Sequence, residues 1–193
     1  EELAPGARIG TGSPRRKAQL LHLRPDLEIN AIRGNVDTRL KKLADGQYDA
    51  LILAEAGLRR LELQDCISQV LSADQMLPAV GQGALGIEVR DQDQRSRDLL
   101  KPLNDPTTAA SVTAERTVLA TLQAGCLAPV ATWGRVDNEQ LLLDAIVMNE
   151  DGSQRLVAQG EGTTSEAKAI GEKVAQQLLD QGAAGLIADA HQE

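Results

Sequence analysis

The first sixty residues alternate short apolar runs with amphipathic ones, and the turns between them carry glycine and arginine. "ARIGTGS" reads as a short strand running into a glycine turn. "PRRKAQLLHL" follows as a helix, with Pro14 at its permitted first position and Ser13 as the natural N-cap. "LEINAIR" is a second strand, "VDTRLKKLADG" a helix closed by Gly46, and "YDALILA" a nearly continuous apolar run of the kind buried in a mainly parallel sheet. Short helices are expected through 57–72. Strand, helix, strand, helix, strand in that order points to an α/β layer.

Residues 78–90, "PAVGQGALGIEVR", break the pattern with three glycines in six positions before a short β-rich stretch. Beyond them the spacing predicts a helix from about Pro106 to Gln123, a loop holding Cys126, and strands near 129–136, 140–148 and 154–160. A last helix opens near Ser165, where Thr163 and Glu166 are spaced as a capping box. Ile170, Val174 and Leu178 share its inner face, and Gly182 can end it. The expected fold is therefore an α/β lobe followed by a small α+β domain with a three-stranded antiparallel sheet and helices. The division is 1–83, 84–103 as a crossover segment, and 104–193.

Aromatic residues are only Trp133 and Tyr48, so the core must be aliphatic. No apolar run approaches the ~20 residues needed to cross a bilayer, and two cysteines without a paired framework fit a reducing compartment. A soluble, cytoplasmic protein is expected. The net charge is −8, yet residues 8–60 hold eight Arg and three Lys against six Asp and Glu. A local cationic excess in an acidic chain suggests a small anionic ligand. The acidic balance and the shortage of stacking aromatics argue against nucleic acid.

The arginines sit where such a ligand would bind. "GTGSPRR" sets Ser13, Arg15 and Arg16 at a helix N-terminus, where free N–H groups and the dipole favour anions. Arg33 ends the next strand and Arg39 lies early in the next helix; Arg59 and Arg60 follow the third strand. In an open α/β sheet the carboxyl ends of successive strands gather on one edge. Taken singly, each arginine is an ordinary surface residue; repetition after three strands carries the reading. "GQGALG" has the letters of a dinucleotide fingerprint, but a β-rich run follows where a helix is required, which favours a hinge or crossing point between lobes. Cys66 lies among residues of helical spacing and reads as a small packed hydrophobe. His22 and His191 offer no triad or metal spacing, so Cys126 is either a structural cysteine, the reading its chemistry favours, or an attachment point.

"GTGSPRRKAQL", "RPDLEINAIRGNVDTRLKKLADGQYDALILAEAGLRRL", "LPAVGQGALGIEVR" and "TAERTVLATLQAGCLAPV" together closely resemble the porphobilinogen deaminase (hydroxymethylbilane synthase) family, in order and through essentially the whole chain. The resemblance implies a periplasmic-binding-protein-like α/β lobe. It also implies a transferase of tetrapyrrole and haem biosynthesis that joins porphobilinogen units into hydroxymethylbilane and releases ammonia. Its dipyrromethane cofactor would hang by a thioether from Cys126. Thr11, Ser13, Arg15, Arg16, Arg33 and Arg39 would bind the cofactor's acidic groups, and Arg33, Arg39 and Arg60 those of substrate and the growing pyrrole chain. In the family an aspartate of a first domain handles protons during electrophilic substitution through an azafulvene-like cation. That domain has no counterpart here, so no catalytic residue and no turnover are expected of this chain alone. The parent is expected to be a monomer without metal, membrane or nucleic-acid partners. Leu85, Ile87 and Val89 would be left exposed. Gly12 and Pro14 replace the family's usual serine and leucine, and both suit a capped helix start. The rival reading is the anion-binding module of a solute-binding protein, which accounts for the arginines and leaves Cys126 unexplained.

Overall fold

The computed structural model describes residues 3–125 and 128–190. Its first sheet has three parallel strands in the order β2-β1-β3: β1 (Arg8–Gly10), β2 (Glu28–Asn30) and β3 (Ala50–Leu51). Two helices make the crossovers. α1 (Pro14–Leu23) starts as its sequence demands, with Pro14 in the first turn and the Ser13 hydroxyl accepting from Arg16 N. α2 (Val36–Ala44) is capped by Asn35, whose Oδ1 accepts from Thr38 N at 2.9 Å, and the chain turns away at Gly46. Ala7, Ile9 and Leu27 form the small core beneath this sheet.

Two expectations fail in this region. "YDALILA" lies along β1 from Asp49 N, which donates to the Arg8 carbonyl, to Ile52 N, which donates to that of Gly10, but its strand is only Ala50–Leu51 and both residues are half-buried. β3 has a single neighbour, so most of that apolar run lacks the second strand that full burial requires. Cys66 is exposed. α3 (Glu55–Arg60) is stopped where Glu62 takes a left-handed conformation at φ 59°, and only one 3-10 turn, Gln64–Cys66, follows. With no helix beyond it, the periodicity that suggested burial has nothing to act on.

Residues 85–90 belong to no helix and join no sheet among the described residues. Leu85 and Ile87 stand 86% and 57% exposed, whereas Val89 is half-buried rather than open. α4 (Gln94–Leu100) leads into a second compact region. Its first element, α5 (Pro106–Thr121), is capped by Asp105 accepting from Thr108 N at 2.7 Å. β4 (Val130–Asp137), β5 (Gln140–Met148) and β6 (Arg155–Thr163) make an antiparallel meander, and the Thr163–Glu166 capping box opens α6 (Ala167–Asp180). α7 (Ala183–Asp189) closes the described chain. One face of the meander packs on α5 and α6 through Leu141, Leu143, Val147, Val174 and Leu178, each essentially inaccessible to solvent. Burying each such side chain stabilises by roughly 1.5–3 kcal/mol.

The other face receives α1. Ala131, Ile146 and Met148 enclose Ala18 and Leu77, and His22 Nδ1–H donates to the Gly152 carbonyl at 2.9 Å. Gly152 has φ 73°, and a Cβ there would run into the Ala18 carbonyl. The turn between β5 and β6 can seat itself on α1 only because that position has no side chain. No helix among the described residues is long and apolar enough to cross a membrane.

Candidate functional site

The carboxyl edge of the parallel sheet is where the chain leaves β1 for α1, β2 for α2, and β3 for α3. A cleft of about 410 Å³ opens there, lined by Gly12, Ser13, Arg16, Ala31, Ile32, Arg33 and Arg39. The N-terminus of α1 forms one side and Ser13 marks its first turn. Two of the guanidinium groups are steered by backbone. Arg16 donates to the Ile52 carbonyl at 3.0 Å, just past β3, and Arg39 Nε donates to the Gly34 carbonyl at 2.8 Å. Arg33 stands exposed at the cleft wall.

No carboxylate among the described residues lines this cleft. Burial, and then the charge of Arg39, pull the Arg16 guanidinium below its ordinary pKa. A counter-charge beside it would offset both effects, since an opposite charge favours the cationic form. The cleft thus sets three guanidinium groups, a serine hydroxyl and a helix N-terminus side by side, donors of the kind that suit anionic groups.

Of the residues expected here from sequence, the structure brings Ser13, Arg16, Arg33 and Arg39 together. Thr11 is buried one layer behind, its Oγ1 accepting from Ser13 N at 3.3 Å. Arg15 turns the opposite way. It is buried, donates to the Leu77 carbonyl and, at 3.5 Å, to Gln82 Oε1, and its pKa falls to about 10 through burial and then the charge of Arg16. Arg60 is exposed at the end of α3 and does not line the cleft; its neighbour Arg59 pairs with Glu55 at 2.6 Å. Cys126 lies outside the described residues. Sequence reasoning passed over Ala31 and Ile32 as cleft walls and the Ile52 and Gly34 carbonyls as anchors. All four immediately follow or closely trail a strand, and that position was the available signal.

Fold and cleft together define an α/β region with an arginine-lined cleft, joined to an α+β region. Residues 1–98 match the family model described as porphobilinogen deaminase, dipyromethane cofactor binding domain, and residues 109–180 match that of the porphobilinogen deaminase C-terminal domain. The chain belongs to the porphobilinogen deaminase family. The arginine cleft falls inside the first of these matches.

Proposed function

We propose that the arginine cleft holds the acidic side groups of a dipyrromethane cofactor and of porphobilinogen units added to it, within a transferase that forms hydroxymethylbilane and releases ammonia. One observation carries this reading: Arg16, Arg33 and Arg39 line a single cleft that contains no carboxylate of its own. Each pyrrole of this class bears two carboxylates. Charge-assisted hydrogen bonds to them contribute about 1.5–3 kcal/mol apiece. The donor set fits the group: Ser13 and the first turn of α1 add neutral donors, and a bound carboxylate offsets the mutual repulsion of Arg16 and Arg39. When bound, the cofactor supplies the pyrrole carbon at which the chain is extended. The protein's own part at this edge is to grip, orient and neutralise.

Thr11 and Arg15 enter the reading as residues behind the cleft, and Arg60 as an exposed cation outside its wall. Cys126 is the proposed thioether anchor. It lies three residues ahead of Pro129, whose carbonyl accepts from Met148 N at 3.1 Å beside the turn that rests on α1. Among the described residues the cleft lining holds cations, a serine and apolar walls, donors that grip and orient. The chain by itself is expected to bind and not to turn over. We place the reaction in the cytoplasm and read the working protein as a monomer.

Porphobilinogen consumption by the purified 193-residue chain is expected to be absent; normal turnover would overturn that part. Arg16→Ala is expected to weaken porphobilinogen binding at least tenfold, and an unchanged affinity would sink the cleft. Intact-mass measurement on a cofactor-loaded sample should show the added dipyrromethane, and Cys126→Ala should lack it.

A further inference from the structure

Residues 77–82 cross between the two regions and are gripped from both. From α1, Gln19 makes a reciprocal pair with a single residue. Leu77 N donates to Gln19 Oε1 at 2.8 Å, and Gln19 Nε2 donates to the Leu77 carbonyl at 3.1 Å. Arg15 donates to that same carbonyl and to Gln82. From α5, the Glu115 carboxylate accepts from Gly81 N at 2.6 Å and from Gly134 N at 2.7 Å. Thr132 N adds a bond to the Pro78 carbonyl at 3.2 Å. Gly134 makes the approach possible, since a Cβ there would sit 2.8 Å from the Ser111 carbonyl. Three elements thus meet on one carboxylate: α5, β4 and the crossing segment.

Arg15 is 7% exposed and Glu115 5% exposed, and neither joins an ion pair among the described residues. Removing a charge from water without an opposite charge is unfavourable, and neutral dipoles offset it only in part. Two such groups of opposite sign, both directed at the backbone or side chains of one six-residue segment, are poorly explained as surface chance.

We propose that Gln19 and Glu115 are positioning residues of a strap, residues 77–82, that fixes the arginine cleft against the C-terminal region. Trp133, the only tryptophan, adjoins Gly134 and has the Arg135 guanidinium 4.2 Å from its ring centroid, so it reports on the far end.

Amide exchange of the whole chain at Leu77, Gly81 and Gly134 tests this. Glu115→Gln keeps the size of the side chain but leaves one amide without its oxygen. It is expected to speed Gly81 and Gly134 and also Leu77, the last by about tenfold, while Leu141 and Leu143 in β5 stay unchanged. Two merely local contacts would leave Leu77 as it was, and that result overturns the strap. If Glu115→Gln does not fold, Gln82→Ala, an exposed change on the strap itself, is expected to hasten Gly81 about threefold; no change there is equally fatal.

Discussion

The two regions of this molecule bury very different amounts of themselves. The C-terminal region has strands of eight and nine residues and inaccessible Leu141, Leu143, Val147, Val174 and Leu178 between its sheet and helices. The α/β region has strands of two and three residues over a core cluster of Ala7, Ile9 and Leu27. It also carries the cleft, where like charges face one another. The contrast shows that the region that binds is held less firmly by its own packing than the region that supports it, and that a bound anion would supply part of the missing stability by linkage.

The largest test of that contrast is Leu143→Ala, expected to cost the C-terminal region about 3 kcal/mol in urea unfolding because a fully buried leucine leaves a cavity. The sole tyrosine, Tyr48, lies in one region and the sole tryptophan, Trp133, in the other. In the unsubstituted chain the Tyr48 signal is expected to change before that of Trp133 as urea rises, and a single coincident transition would break the comparison. Next in size, Arg39→Gln is expected to weaken anion binding roughly tenfold through one lost charge-assisted contact, yet to leave the α/β region slightly more stable by removing the charge that opposes Arg16. A loss of both would mean that Arg39 holds structure and not ligand.

Thr132→Val comes third and runs the other way. The Thr132 hydroxyl is fully buried and has no hydrogen-bond partner among the described residues. An isosteric methyl is expected to raise the melting free energy by about 1 kcal/mol. The smallest effect is at the α5 cap. Hydrogen bonds from Thr108 N, then from the Thr107 and Thr108 side chains, hold the Asp105 carboxyl down to about 2. Because its folded pKa lies below the unfolded one, the stability it contributes is complete above about pH 4 and is lost as pH falls toward 2. Asp105→Asn is expected to flatten melting temperature over that window, leaving the curve above it parallel to the original.

Much of the fold was legible where local chemistry decides it. Ser13, Pro14, Gly46 and the Thr163–Glu166 box mark element ends by hydrogen bonds within a few residues, and Ile170, Val174 and Leu178 mark a helix face by period alone. What escaped depends on distant partners. Cys66 was read as buried because its spacing looked helical, but a left-handed Glu62 ended the helix first. Arg15 and Arg16 are the clearest case. Adjacent helical residues point about 100° apart, so only one can face the cleft. Which one is set by the docking of Ala18 on Ala131 and Ile146, a contact more than a hundred residues away in the chain.

The turn at Gly152, set like a tooth against Ala18, bears on how such proteins can be recombined. The two family matches leave a seam between residues 98 and 109 that invites cutting and regrafting. The seam in the gene is not a seam in the solid. A transplanted C-terminal half would have to bring its own glycine at that turn, because any side chain there would strike the backbone of the host helix.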